Sequence, residues 1–190
     1  MTGPWPADAP AEPRDTDVGF CCENVGVAQK VSFSGRAASF LQRRLPGVAR
    51  SASRRLAAQY EKSGGSKGDK LAGKPTFRLT IIGRKSGEPR SVMLMLVRRD
   101  DDLLVCGSQA GTPDAPNWWK NLEAAGRARA QVGNESFEVD ARVVSDVAER
   151  AEVWSLLTAA YPDFASYQQL TDRVLPIAVL TRRVADQQGG

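Results

Sequence analysis

The chain has 190 residues, of which 42% are apolar and 25% charged, with a net charge of +4 and no histidine. Without an imidazole it cannot run a Ser-His-Asp or Cys-His mechanism, bind zinc through histidine, or use histidine as a general base. Three cysteines (Cys21, Cys22 and Cys106) cannot close a metal tetrad, so no metal site is expected, and the polar, proline-rich start and lack of a long apolar run point to a cytoplasmic chain.

Residues 1–35 set Asp8, Glu12, Asp15, Asp17 and Glu23 against Arg14 and Lys30, show no apolar period, and read as a disordered extension. Residues 36–62 are basic. Leu41, Leu45, Val48, Ala52, Leu56 and Tyr60 fall on one helical arc, and Arg36, Arg43, Arg50 and Arg54 on the opposite side, so this is an amphipathic helix. Pro46 marks the first turn of a second helical piece. Such a helix either lies on the domain with solvated arginines or rests on an anionic membrane surface. Residues 63–75 read as a flexible, lysine-bearing loop. Gly68 to Lys74 imitates a P-loop, but Pro75 and a strand follow where Ser or Thr and a helix are required.

From Thr76 the pattern is one of strands. Segments 77–83, 91–99 and 103–109 read as an antiparallel meander, and 127–133 and 136–144 as a hairpin around Gly133-Asn134. Between them lies a short helix, NWWKNLEAA, stopped by Gly126. A further helix starts at Ser145 or Asp146, with Glu149 three residues after Asp146 as a capping box, and is ended by Pro162; a short helical piece and a last strand, 176–183, complete the domain. The fold expected is α+β: a mostly antiparallel six-stranded split β-barrel over 63–185 with capping helices, an N-terminal helical extension and a tail at 186–190.

Two loops concentrate unusual residues. GRKSGEPR carries Arg84, Lys85 and Arg90 around Gly83, Gly87 and Pro89, which suits either an anion site or a solvated turn. The second loop, Cys106 to Gln109, runs toward Asn117, Trp118, Trp119, Lys120 and Asn121. Adjacent residues on a helix diverge by about 100°, so one tryptophan packs inward and the other faces a pocket or a partner.

The strings LTIIGRKSGEPR, VCGSQ followed by NWWKNL, and YPDF running on to DR and PIAVL resemble the actinobacterial deazaflavin-dependent nitroreductases and quinone reductases, split β-barrels that bind coenzyme F-420. The resemblance covers roughly residues 70–183. It implies that Arg84, Lys85, Ser86 and Arg90 grip the phosphate and acidic tail of the coenzyme. Strand residues Ser91, Val92, Met93, Leu94 and Met95 would pass along its ring, and Cys106, Gly107, Ser108 and Gln109 would close its other edge. Asn117, Trp118, Trp119, Lys120, Asn121 and Phe164 would complete the wall. Hydride transfer to a quinone or nitro-aromatic acceptor is the implied reaction, with Ser108, Tyr161 and Tyr167 assisting proton delivery. Two positions depart from the family pattern: Phe164 replaces a tyrosine, and Gln109 stands where close relatives carry lysine. A binding or carrier protein for deazaflavin or flavin mononucleotide is the alternative, whereas the charge pattern disfavours nucleic acid.

Overall fold

The computed structural model describes residues 46–183. The acidic extension, the first part of the basic segment and the tail lie outside the described residues.

Helix α1 (Pro46–Lys62) opens on proline, whose fixed φ suits a first helical turn. It lies against the sheet through Ala57 and Tyr60, both buried, while Ala52, placed on the apolar arc by spacing, is exposed. Arg78 on the sheet meets Glu61 of the helix at 2.8 Å. The following stretch is not a flexible loop. Gly65 donates its N–H to the Tyr60 carbonyl at 2.8 Å, Thr76 Oγ1 donates to the Gly68 carbonyl at 2.6 Å, and strand β1 (Lys70–Leu71) pairs with the start of β2 (Lys74–Ile82). Gly65 has a φ of 82°, and a Cβ there would stand 2.3 Å from the Gly133 carbonyl oxygen. Gly65→Ala is therefore expected to lower unfolding free energy by about 2 kcal/mol, the scale of overpacking at a rigid contact, as read by urea denaturation.

Beyond β2 come β3 (Pro89–Met95), β4 (Arg98–Arg99), β5 (Asp102–Cys106), helix α2 (Asn117–Ala125), β6 (Arg127–Val132), β7 (Glu135–Val143), helices α3 (Val147–Ala160) and α4 (Asp163–Gln169), and β8 (Ile177–Arg182). The strand count is thus eight rather than six, because β1 and β4 are two-residue strands absent from the sequence pattern. Pairing is antiparallel throughout, in the order β1-β2-β6-β7-β8-β5-β4, with β3 also on β2. The expected meander fails at its third strand: β3 pairs with β2, while β5 pairs with β4 and β8. Only Leu96 and Val97 separate β3 from β4, at the far end of that order. Leu96 N–H donates to Pro75 and Leu104 N–H to Val97, each at 2.9 Å, which draws the two ends together and curls the sheet into a split barrel.

Alternation along β5 and β8 divides the apolar side chains between two cores. Leu103, Val105, Ala178 and Leu180 join Phe77, Leu79, Ile81, Trp119 and Val139. Leu104, Cys106, Ile177 and Val179 join Val153, Leu157, Phe164, Tyr167 and Leu175 from the helical side. Both faces of these strands are covered, which is why LLVC and IAVL read as continuous apolar runs. Asp146 caps α3 by accepting from Glu149 N–H at 2.8 Å, one half of the expected capping box.

Glu149 also ties α3 to the sheet. Arg142 donates to both carboxylate oxygens at 2.6 and 2.7 Å, and Arg99 adds a contact at 3.4 Å. These partners, Arg142 foremost, bring the Glu149 carboxyl down to about 2 from 4.5. A carboxylate held lower in the folded state stabilises it above pH 4.5 and loses that contribution as pH falls toward 2. Wild type is accordingly expected to melt above Glu149→Gln near neutrality, the two thermal midpoints converging as pH drops through that window.

Candidate functional site

The loop between β2 and β3 is shaped by its own backbone. Gly83 donates to Glu88 at 2.9 Å and Gly87 to Gly83 at 2.8 Å, with Gly87 at the positive φ of 69° that such a turn demands. Ser86 Oγ accepts from Glu88 N–H at 3.3 Å and from the Arg90 guanidinium at 3.4 Å. Helix α2 pins the loop from the side: Asn121 Oδ1 accepts from Arg84 Nη1 at 2.8 Å and from Arg84 N–H at 3.3 Å.

This loop opens onto a cavity of about 480 Å³. Arg84, Lys85 and Arg90 line it together with Ser86, Ser91, Asn117, Trp118 and Asn121, and α1 contributes Arg54. None of the lining residues is acidic. Among the described residues these four cations make no ion pair within 4.0 Å. Four positive groups converging without carboxylates to neutralise them form a site for a polyanion.

The tryptophans part as helix geometry requires. Trp118 lines the cavity, while Trp119 is buried in the first core with its ring edge-on to Trp118, centroids 5.7 Å apart. Gly107 lies against the Trp119 ring, where a Cβ would come within 3.0 Å. Along β3 the pairing Leu79↔Val92 and Phe77↔Leu94 sets Val92 and Leu94 on the barrel-core face, and Ser91, Met93 and Met95 on the opposite one. Lys120 sits half-buried on α2, outside the cavity lining.

The remaining candidates gather elsewhere. Phe164, Tyr167 and Cys106 are buried in the second core, with Tyr161 and Met95 packed against it. Tyr161 Oη stands 3.4 Å from Tyr167 Oη, and its ring meets Phe164 edge-on at 5.0 Å. Burial, above all, raises both phenols, Tyr161 the more strongly, so both stay protonated at neutral pH. Burial likewise pushes the Cys106 thiol up to about 12, which removes thiolate reactivity. Ser108 is buried, and Gln109 begins a 3-10 turn (Gln109–Gly111) with a φ of 45°. The sequence-derived residues thus form two groups: an open cationic cavity, and a covered aromatic cluster that does not line it.

Two residues act where the sequence pattern alone does not place them. Arg54 was assigned to the solvent or lipid side of the basic helix; its phase opposite the apolar arc was visible, but not that α1 would lie beside the loop of residues 83–90. Arg173 reaches back to the Gly107–Thr112 segment, donating to three of its carbonyls. No local pattern announces a contact between residues more than sixty positions apart.

Residues 52–182 match the family described as F420H(2)-dependent quinone reductase. The chain belongs to this family. It is 32% identical over 129 residues to a curated F420H(2)-dependent quinone reductase of Mycobacterium tuberculosis, covering 66% of this chain and 87% of that protein. A solved F420-H2 dependent reductase is 34% identical over 56% of this chain and 93% of its own, with a TM-score of 0.52. A second solved structure, described as a domain-swapped dimer, is 29% identical, with a TM-score of 0.55 over 71% of this chain and 98% of that one. The split barrel is accordingly the fold of the quinone reductase family and of this member. Among its described residues no helix is long and apolar enough to cross a membrane.

Proposed function

We propose that this chain binds the deazaflavin coenzyme F-420 and reduces a quinone. The observation that carries the reading is the cavity where Arg54, Arg84, Lys85 and Arg90 converge with no acidic residue in the lining, a donor set that fits a phosphate and a carboxylate tail. When bound in reduced form, the coenzyme supplies the hydride that passes to the acceptor.

The chain's own residues bind, orient and shield. Arg84, Lys85 and Arg90 hold the anionic tail, Ser86 keeps Arg90 turned toward it, and Asn121 fixes Arg84 through a neutral amide that leaves its charge available. Trp118 with Ser91, Met93 and Met95 flanks a flat ring, and Gly107 to Gln109 close its edge. Tyr161, half-buried and held protonated, donates to the acceptor oxygen, while the buried Tyr167 hydroxyl stands 3.4 Å behind it and Ser108 adds a hydroxyl to the covered side. Phe164 offers only an apolar edge and no hydrogen-bond donor. A peripheral membrane contact is a finer proposal: Arg55 and Lys62 of α1 share an open groove with Lys67 of the stretch that follows it, and sedimentation with anionic vesicles at low salt tests it.

Titration with reduced F-420 and with flavin mononucleotide, followed by mixing with menadione or a nitro-aromatic, tests the main reading. Tighter deazaflavin binding and rapid oxidation by menadione are expected. Tighter flavin binding would overturn the cofactor, and binding without turnover would make the chain a carrier.

A further inference from the structure

We propose that Arg173 is a positioning residue for the deazaflavin site, clamping the Gly107–Thr112 segment so that Ser108 and Gln109 meet the bound coenzyme. This rests on the function proposed above.

The clamp is three-pronged. Arg173 Nε donates to the Thr112 carbonyl at 2.9 Å, and Nη2 donates to the Gly107 and Ser108 carbonyls at 3.1 and 2.7 Å. These bonds gather both ends of a segment whose middle is unfavourable: Gln109 and Ala110, both bearing a Cβ, have φ values of 45° and 52°, followed by Gly111 at 71°. Two successive non-glycine residues in the left-handed region persist only where surrounding contacts over-determine them. The opposite side is equally constrained. A Cβ on Gly111 would stand 2.6 Å from the Tyr167 carbonyl oxygen, and one on Gly107 would stand 2.9 Å from Pro176 and 3.0 Å from the Trp119 ring.

Arg173 is itself held in place. The Gln168 side-chain amide donates to the Arg173 carbonyl at 2.8 Å, and its oxygen accepts from Leu175 N–H at 2.9 Å. Gln168 follows Tyr167 directly, so α4 is coupled through Arg173 to the segment assigned to the coenzyme. A planar fork suits this work, because one rigid group reaches carbonyls that point in different directions; an ammonium is a point charge without that fork. The third nitrogen, Nη1, is buried without a hydrogen-bond partner among the described residues, so the residue accepts a local penalty to make the other three bonds.

The test uses full-length chain carrying Cys21→Ser and Cys22→Ser, so that Cys106 is its one thiol. Arg173→Ala and Arg173→Lys are compared with it by circular dichroism, affinity for reduced F-420, kcat and KM for menadione, and the rate of Cys106 modification by a thiol reagent. Losing charge-assisted bonds to buried carbonyls predicts coenzyme affinity weakened by about tenfold or more in Arg173→Ala. We expect kcat to fall more than the menadione KM rises, Cys106 to become reactive, and added guanidinium ion to restore part of the affinity. Arg173→Lys should recover little of it. A folded Arg173→Ala with parental coenzyme affinity, kinetics and thiol protection would overturn the clamp. Where the alanine variant fails to fold, parental values in Arg173→Lys would overturn it instead. Failure of the parent itself to bind reduced F-420 would overturn the proposed function and this role with it, a result distinct from a parent that binds and variants that match it.

Discussion

Replacing Arg84 and Arg90 together with alanine is expected to weaken binding of reduced F-420 by about a hundredfold, each guanidinium supplying charge-assisted bonds of about 1.5 kcal/mol to the anionic tail. The cavity is open and its cations exposed, so salt screens part of this. The wild-type affinity should therefore fall as ionic strength rises, and the variant's much less. Arg127, exposed and outside the cavity lining, is the control for charge: Arg127→Ala removes one positive charge, as Arg84→Ala alone does, and should leave affinity nearly unchanged. Thermal midpoints should stay close to wild type, because neither side chain is part of a core. Arg84→Ala alone carries one extra consequence. Its guanidinium donates to Asn121 Oδ1, so α2 loses a tether to the loop, and Asn121→Ala should reproduce a few-fold share of the affinity loss without changing charge. Fluorescence titration at low and high salt checks all four variants; equal affinity of wild type and the double variant would make the loop a solvated turn.

How much of this architecture the sequence announced follows the range of each interaction. Helix ends were legible because caps are local. Asp146 accepts from Glu149 N–H three residues on, and Gly126 takes the left-handed φ of 63° that ends α2. The β6–β7 hairpin was legible for the same reason, its register set by the turn at Gly133. Partners of β5 were not legible. Its neighbours β4 and β8 are chosen by barrel closure, a global condition that leaves no mark in a seven-residue window. The run SVMLMLVRR could not reveal its break at Leu96–Val97 either, since hydrophobicity continues through it while the pairing partner changes.

For the site, residue chemistry read correctly where one loop carries it. The cations of GRKSGEPR do line one cavity, and the divergence of Trp118 and Trp119 follows from helix geometry alone. The separation between that cavity and the Tyr161, Phe164 and Tyr167 cluster was not legible, because it depends on which core each face of β3, β5 and β8 joins. Arg54 shows the limit most plainly. Its helical phase is correct in the sequence, yet whether that phase meets lipid, water or an anion depends on where α1 docks.

That docking rests on Tyr60, and Tyr60→Ala is expected to lower unfolding free energy by about 4 kcal/mol, the cost of deleting a fully buried aromatic ring. Its ring is 1% exposed, and its Oη accepts from Gly133 N–H at 2.8 Å while donating toward the Thr76 carbonyl at 3.4 Å. One side chain thus joins α1 to β2 and to the β6–β7 turn. Tyr60→Phe separates the contributions: it keeps the packing and leaves Gly133 N–H unpaired, for a loss of about 1 kcal/mol. For a domain of this size the alanine change should lower the thermal midpoint by roughly 10 °C, and the phenylalanine change by only a few degrees. A second consequence distinguishes an undocked helix from a merely weakened core. Arg54 reaches the cavity only while α1 lies on the sheet, so Tyr60→Ala measured well below its midpoint should bind reduced F-420 as weakly as Arg54→Ala does. Combining the two substitutions should cost no further affinity, since both remove the same cation from the same place. Additive losses would mean that Arg54 acts on the coenzyme independently of the Tyr60 anchor.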